Sequence, residues 1–192
     1  VKFTPTPLPG VVIVEQEPVH DHRGSFARMW CEREFKQAGL DGRFVQSSLS
    51  MSQRKHTVRG LHWAALPSRE TKLVRVVAGA IFDVVVDLRE DSSAYGEIFT
   101  IKLDAASAVS LAIPPQCAHG FQTLVDATEV LYCMTEAYEP SVARTWHWRS
   151  AELGIPWPYA GPDVTLSTAD AQAAAFERHR PVGSHRSGDR PR

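Results

Sequence analysis

Long apolar runs are missing from this chain: no window approaches the roughly 20 residues a membrane-spanning helix needs. A membrane partner is therefore not expected. Cysteine is scarce, and the three present, Cys31, Cys117 and Cys133, are an odd number without metal-ligand spacing. That excludes a disulfide framework and makes a reducing cytoplasm the expected setting. Neither sign of charge is in excess, with 21 Lys plus Arg against 22 Asp plus Glu and a net charge of -1. No long-range field draws such a chain to nucleic acid or an anionic membrane, so an acidic ligand would need a local group of cations.

Phosphate-binding loops are absent too: there is no Gly-rich dinucleotide fingerprint and no lysine-bearing phosphate loop. Cation forks such as Arg23 and Arg59 would have to hold a diphosphate instead. There is no Cys-x-x-Cys, and His62 and His119 are the histidines in motif-like strand settings, with His20, His22 and His56 as remaining possibilities. That leaves too few ligands for a three-histidine or two-histidine-one-carboxylate centre, so neither a metal nor another cofactor is expected. The opening Lys2-Phe3-Thr4-Pro5-Thr6-Pro7 has no signal-peptide core, which fits the cytoplasmic expectation.

What is present is strand after strand. At 192 residues and 43% hydrophobic, one domain can bury a substantial core. Strands are predicted for Val11 to Glu15, near Phe26, and for Phe44 to Ser50, where period two puts Gln46, Ser48 and Ser50 on one face. Leu73 to Val77 and Ile81 to Leu88 flank Ala78-Gly79-Ala80, which reads as a tight hairpin with Gly79 free to take positive φ. Further strands are predicted around Ile98 to Leu103, Ala108 to Ile113, Gly120 to Val125 and Glu129 to Thr135. Two helices are predicted, Glu32 to Gln37 and the alanine-rich Ala169 to Arg178, the latter opening after Ser167 with Asp170 in a capping-box position. The expected fold is all-β, a sandwich or barrel that hides its edges behind short peripheral helices. Residues 1 to 178 form one domain in this reading. Residues 179 to 192, rich in Arg, Gly, Ser and Pro without an apolar pattern, are expected to be a mobile tail whose charges face solvent, and no nucleic-acid partner is expected.

Residue types then suggest chemistry. In Val58-Arg59-Gly60-Leu61-His62-Trp63, alternation separates Arg59 from His62, so a shared cavity needs a bulge, a bent rim strand or access from both faces. His119 follows Ile113-Pro114-Pro115, whose prolines end a strand and permit a turn, so it either orients a ligand or caps a loop. Tyr132, Tyr138 and Lys72 say little by position alone.

The blocks taken together resemble the dTDP-4-dehydrorhamnose 3,5-epimerase family. They are Asp21-His22-Arg23-Gly24-Ser25-Phe26, Phe44-Val45-Gln46, Arg59-Gly60-Leu61-His62, Thr71 to Val76 and Asp83 to Arg89. Ile113 to Phe121, Val130-Leu131-Tyr132, Tyr138-Glu139-Pro140, Leu153 to Pro158, and Leu166-Ser167 with Asp170 follow in order. The resemblance runs from about Pro9 to Asp170 and implies a cupin-like jelly roll that forms a homodimer. It implies His62 as base, Asp170 as its orienting carboxylate, Tyr132 as acid and Lys72 as stabiliser of an enolate oxygen. It assigns Arg59 and Arg23 to a diphosphate, Phe26 to the nucleobase, Gln46, Ser48 and His119 to the substrate, and Tyr138 to the sugar-facing pocket. The resemblance also implies that Arg23 and Phe26 come from across the dimer. The implied partner is a nucleoside-diphosphate sugar, and the implied reaction is epimerisation at C3, C5 or both of a 4-keto-6-deoxyhexose. Its alternatives are a 3,4-ketoisomerase or a non-catalytic sugar-nucleotide-binding cupin. The chain departs from the family pattern at Ser48 (often Asn), Ala64 (often Gln), Ala143 (usually Glu), Thr145 (usually Gly) and the Trp146-His147 pair, which implies a remodelled pocket.

Overall fold

Alternating β-branched and polar residues build two facing antiparallel sheets whose inner sides make the core. The computed structural model describes residues 1–178, and the predicted tail at 179–192 lies outside the described residues. In chain order the strands are β1 (Lys2–Pro5), β2 (Val12–Glu15), β3 (Val19–Asp21), β4 (Gly24–Phe26), β5 (Gln46–Ser52), β6 (Val58–Ala64), β7 (Lys72–Ala78) and β8 (Ala80–Asp87). They continue as β9 (Ile98–Asp104), β10 (Val109–Ile113), β11 (Cys117–Thr123), β12 (Thr128–Met134) and β13 (Ala143–Thr145). Helix α1 (Glu32–Gln37) precedes β5, and α2 (Thr168–Ala171) follows β13.

One sheet runs β1-β2-β10-β7-β12-β5 and the other β13-β6-β11-β8-β9, while β3 and β4 pair only with each other. Between the sheets lie Val74, Val76, Ile81, Val85, Leu111, Ile113, Phe121 and Val130, all essentially buried. Phe35 of α1 covers the far side of the larger sheet, against Val14, Leu73 and Ala112. The C-terminal segment covers the smaller sheet, where Leu153 and Phe176 pack on Leu61, Val84 and Val86. The result is a β-sandwich with short peripheral helices, as the alternation predicts.

Three expectations need correction. First, β7 and β8 are not a hairpin pair, because they belong to different sheets. Gly79, at φ +75°, turns the chain from one sheet to the other, and a Cβ there would lie 2.4 Å from Thr128 Oγ1. Second, helix ends at Ala171 rather than Arg178. Phe176 drops into the core beside Trp146 and Tyr95, so the backbone bonds across instead of to itself. His147 N–H donates to Ala174 O, and Phe176 N–H to Ser150 Oγ. Third, His119 sits inside β11, not in a turn, because Pro114 and Pro115 end β10 early enough for β11 to begin at Cys117.

Candidate active site

Arg59 and His62 both border one cavity of about 490 Å³ between the sheets, although strict alternation separates them. The reason is a β-bulge. His62 pairs with His119 and Arg59 with Phe121, so three steps along β6 match two along β11. Gly60, at φ +121°, makes the bulge possible, since a Cβ there would lie 2.6 Å from Gly120 Cα and 2.7 Å from His119 O.

His62 presents a half-exposed imidazole whose Nε2–H donates to Asp170 Oδ1 at 2.7 Å. Its other nitrogen, Nδ1, is thereby left as the acceptor. Asp170 is buried. Burial pushes its carboxyl upward, but bonds from His62, Ser167 and Gly60 outweigh that and hold it below the usual carboxylate range. The two sequence readings of Asp170 coexist. Its backbone N–H donates to Ser167 Oγ at 3.0 Å as in a helix cap, while its carboxylate reaches His62.

The larger sheet supplies the opposite wall. Tyr132 of β12, Lys72 of β7, and Gln46 and Ser48 of β5 all border the cavity. Burial raises the Tyr132 phenol well above its ordinary pKa, and the Asp83 carboxylate adds to the rise. The phenol therefore keeps its proton at neutral pH. Lys72 Nζ lies 3.2 Å from Glu70 Oε1, an ammonium with two further donors. Gln46 Oε1 accepts from the Tyr138 N–H at 2.8 Å, so it fixes the segment that carries the exposed Tyr138 ring at the mouth.

His119 borders the cavity but is buried deeper, its Nε2 sharing a 2.6 Å hydrogen bond with Asp83 Oδ1 and its ring meeting Tyr132 edge-on at 6.0 Å. Sequence reading gave Asp83 no role. The available signal is an acid on the inward side of the otherwise apolar stretch Ile81 to Val86. Burial raises the Asp83 carboxyl despite His119, and its Oδ2 has no partner. Glu70, the counter-ion of Lys72, was likewise missed.

Arg59 Nε donates to Ser52 Oγ at 3.2 Å and its Nη2 to Met51 O at 2.9 Å, which holds the guanidinium at the cavity edge. Arg23 and Phe26 are not brought to the site within one chain. They lie on the exposed β3–β4 hairpin, where Arg23 pairs with Asp21 at 2.5 Å and Phe26 is 80% exposed. Among the described residues no group of three His, Cys, Asp or Glu is placed to hold a metal ion, and no helix is long and apolar enough to cross a membrane.

A β-sandwich whose inner cavity sets a histidine–carboxylate pair against a buried phenol and an ammonium defines an acid–base enzyme of the cupin-like class. The dTDP-4-dehydrorhamnose 3,5-epimerase family profile matches residues 5–178. The chain belongs to that family. It is 41% identical over 157 residues to dTDP-4-dehydrorhamnose 3,5-epimerase of Methanothermobacter thermautotrophicus, covering 82% of this chain and 84% of that one. The crystal structure of the Bacillus anthracis enzyme with TDP and PPi bound superposes with a TM-score of 0.87 at 35% identity, covering 91% of this chain and 99% of that one. That of dTDP-6-deoxy-D-glucose-3,5-epimerase from Legionella pneumophila, in complex with dTDP-4-keto-L-rhamnose, gives 0.85 at 32%, covering 91% and 92%.

Proposed function

We propose that this enzyme epimerises C3, C5 or both carbons of a dTDP-linked 4-keto-6-deoxyhexose. The observation that carries the reading is the His62–Asp170 pair on one wall of the cavity with Tyr132 on the other. Hydrogens on carbons beside a ketone are removable because the carbanion is an enolate. His62 takes the proton through Nδ1, and Asp170 holds the ring and stabilises the imidazolium that forms. Lys72 meets the charge that develops on the C4 oxygen. Tyr132, still protonated, returns a proton to the opposite face, and the carbon inverts. His119 packs against the Tyr132 ring, and Asp83 steadies His119.

Arg59 faces the diphosphate, Gln46 and Ser48 line the sugar side, and Tyr138 closes the mouth. Arg23 and Phe26 serve the diphosphate and nucleobase of a second copy in a homodimer. Support comes from the surface: Val19 and Phe26 on the hairpin are 71% and 80% exposed, and Leu49 and Met51 on edge strand β5 are 51% and 64% exposed. Edge strands with apolar outward faces are commonly covered by another chain.

The test is product analysis with a dTDP-4-keto-6-deoxyhexose. Inversion at C3 or C5 with the ketone still at C4 supports the reading. A ketone moved to C3 without inversion points to isomerisation, and binding without proton exchange points to a non-catalytic cupin.

A further inference from the structure

We propose that Thr145, which has no part in the chemistry above, sets how far the sugar can move past the base and so which carbon beside the ketone reacts faster. The proposal rests on the epimerase reading of the same cavity.

Leu61 and Trp146 exchange both backbone hydrogen bonds, at 3.0 and 2.9 Å. In an antiparallel ladder the adjacent pair is then of the non-hydrogen-bonded kind, with Cα atoms about 4.5 Å apart and side chains at their closest. That adjacent pair is His62 with Thr145, and Ala64 with Ala143 repeats the geometry two residues on. All four residues border the cavity. A branched side chain thus stands against one flank of the imidazole, while the next pair along offers only methyl groups. Thr145 cannot easily withdraw, because Trp146 beside it packs into the cluster around Leu61 and Phe176.

The substrate sets the demand. C3 and C5 lie on opposite sides of C4, and a single base must reach both for double inversion. His62 is tied through Nε2 to buried Asp170, so its ring does not swing freely. The sugar must shift or turn instead, sweeping its substituents across the flank of the imidazole. Thr145 narrows that flank, which favours one carbon over the other.

The experiment measures initial deuterium incorporation at C3 and C5 in heavy water by position-resolved NMR, with a dTDP-4-keto-6-deoxyhexose as probe. Wild type and the variants Thr145→Gly, Thr145→Ala and Thr145→Val are compared. Wild type should favour one carbon by about tenfold or more, the scale on which a pocket reads one small group. Thr145→Gly and Thr145→Ala should bring the two rates within about threefold by raising the slower one, whereas Thr145→Val, which keeps the shape, should preserve the bias. The alanine variant serves if glycine loosens β13. Comparable rates in wild type, or an unchanged ratio in folded Gly and Ala variants, overturns the proposal alone. No exchange at either carbon in wild type overturns the epimerase reading and the proposal with it.

Discussion

Gly60 and Gly120 meet backbone to backbone across β6 and β11, so close that a Cβ on Gly60 would lie 2.6 Å from Gly120 Cα. This contact permits the bulge that turns Arg59 and His62 to one cavity. Gly60→Ala adds a methyl group against backbone atoms at φ +121°, so neither neighbour can give way cheaply. It should cost at least about 2 kcal/mol in chemical denaturation and lower substrate affinity together with turnover. Wild-type stability in this variant would remove the bulge from the explanation of the site.

Asp170→Asn keeps the backbone N–H that Ser167 caps but weakens the hold on His62. Turnover should fall by about two orders of magnitude or more, with the melting temperature nearly unchanged. Unchanged turnover would leave Asp170 as a helix cap only.

Two of the buried acids, Asp170 and Asp83, should respond to pH with opposite signs. Asp170 is held below its ordinary value, so its contribution to stability is complete above about pH 4 and is lost as pH falls through the lower folded value. Asp83 is raised by burial, so its contribution is present below about pH 4 and is lost as pH rises through the raised value. Denaturation of Asp83→Asn beside wild type should therefore show the variant gaining relative stability as pH rises from about 4 to 8. A difference flat across that range would contradict the assigned environment.

Much of the fold was legible because period-two alternation survives in most strands. Gln46, Ser48 and the α1 boundaries follow the sequence reading directly. Alternation does not say which sheet a strand joins, which is why Ala78-Gly79-Ala80 reads as a hairpin while it is a corner between sheets. Helix propensity in Ala169 to Arg178 yields to the burial of one side chain, Phe176. At the site, the family resemblance implies the roles of His62, Tyr132, Lys72 and Asp170, and the fold sets the first three around one cavity with Asp170 hydrogen-bonded to His62. Asp83, inside β8, and Glu70, just before β7, have no role in the sequence reading because an acid's position gives no sign of the histidine or lysine it will meet. Arg23 and Phe26 stay apart from the cavity because their hairpin pairs only with itself.

Leu49 and Met51 sit opposite Leu131 and Glu129 on the outer side of the larger sheet. In the homodimer reading this face is covered by a second copy, and Leu49→Asp with Met51→Asp should convert the sedimenting species from dimer to monomer. Activity should fall with it, since Arg23 and Phe26 would no longer reach a neighbouring cavity. A wild-type chain that sediments only as monomer at assay concentrations would contradict the shared site.

Tyr132→Phe and His62→Ala separate the two halves of the chemistry in a single measurement, the fate of the sugar protons in heavy water. Wild type should incorporate deuterium beside the ketone and invert the carbon. His62→Ala should abolish incorporation, because it removes the imidazole that Asp170 holds to take the proton. Tyr132→Phe should retain some incorporation but lose inversion, because removal of the proton survives while return to the opposite face does not. Inversion at wild-type rates in both variants would contradict the assignment of His62 as base and Tyr132 as acid.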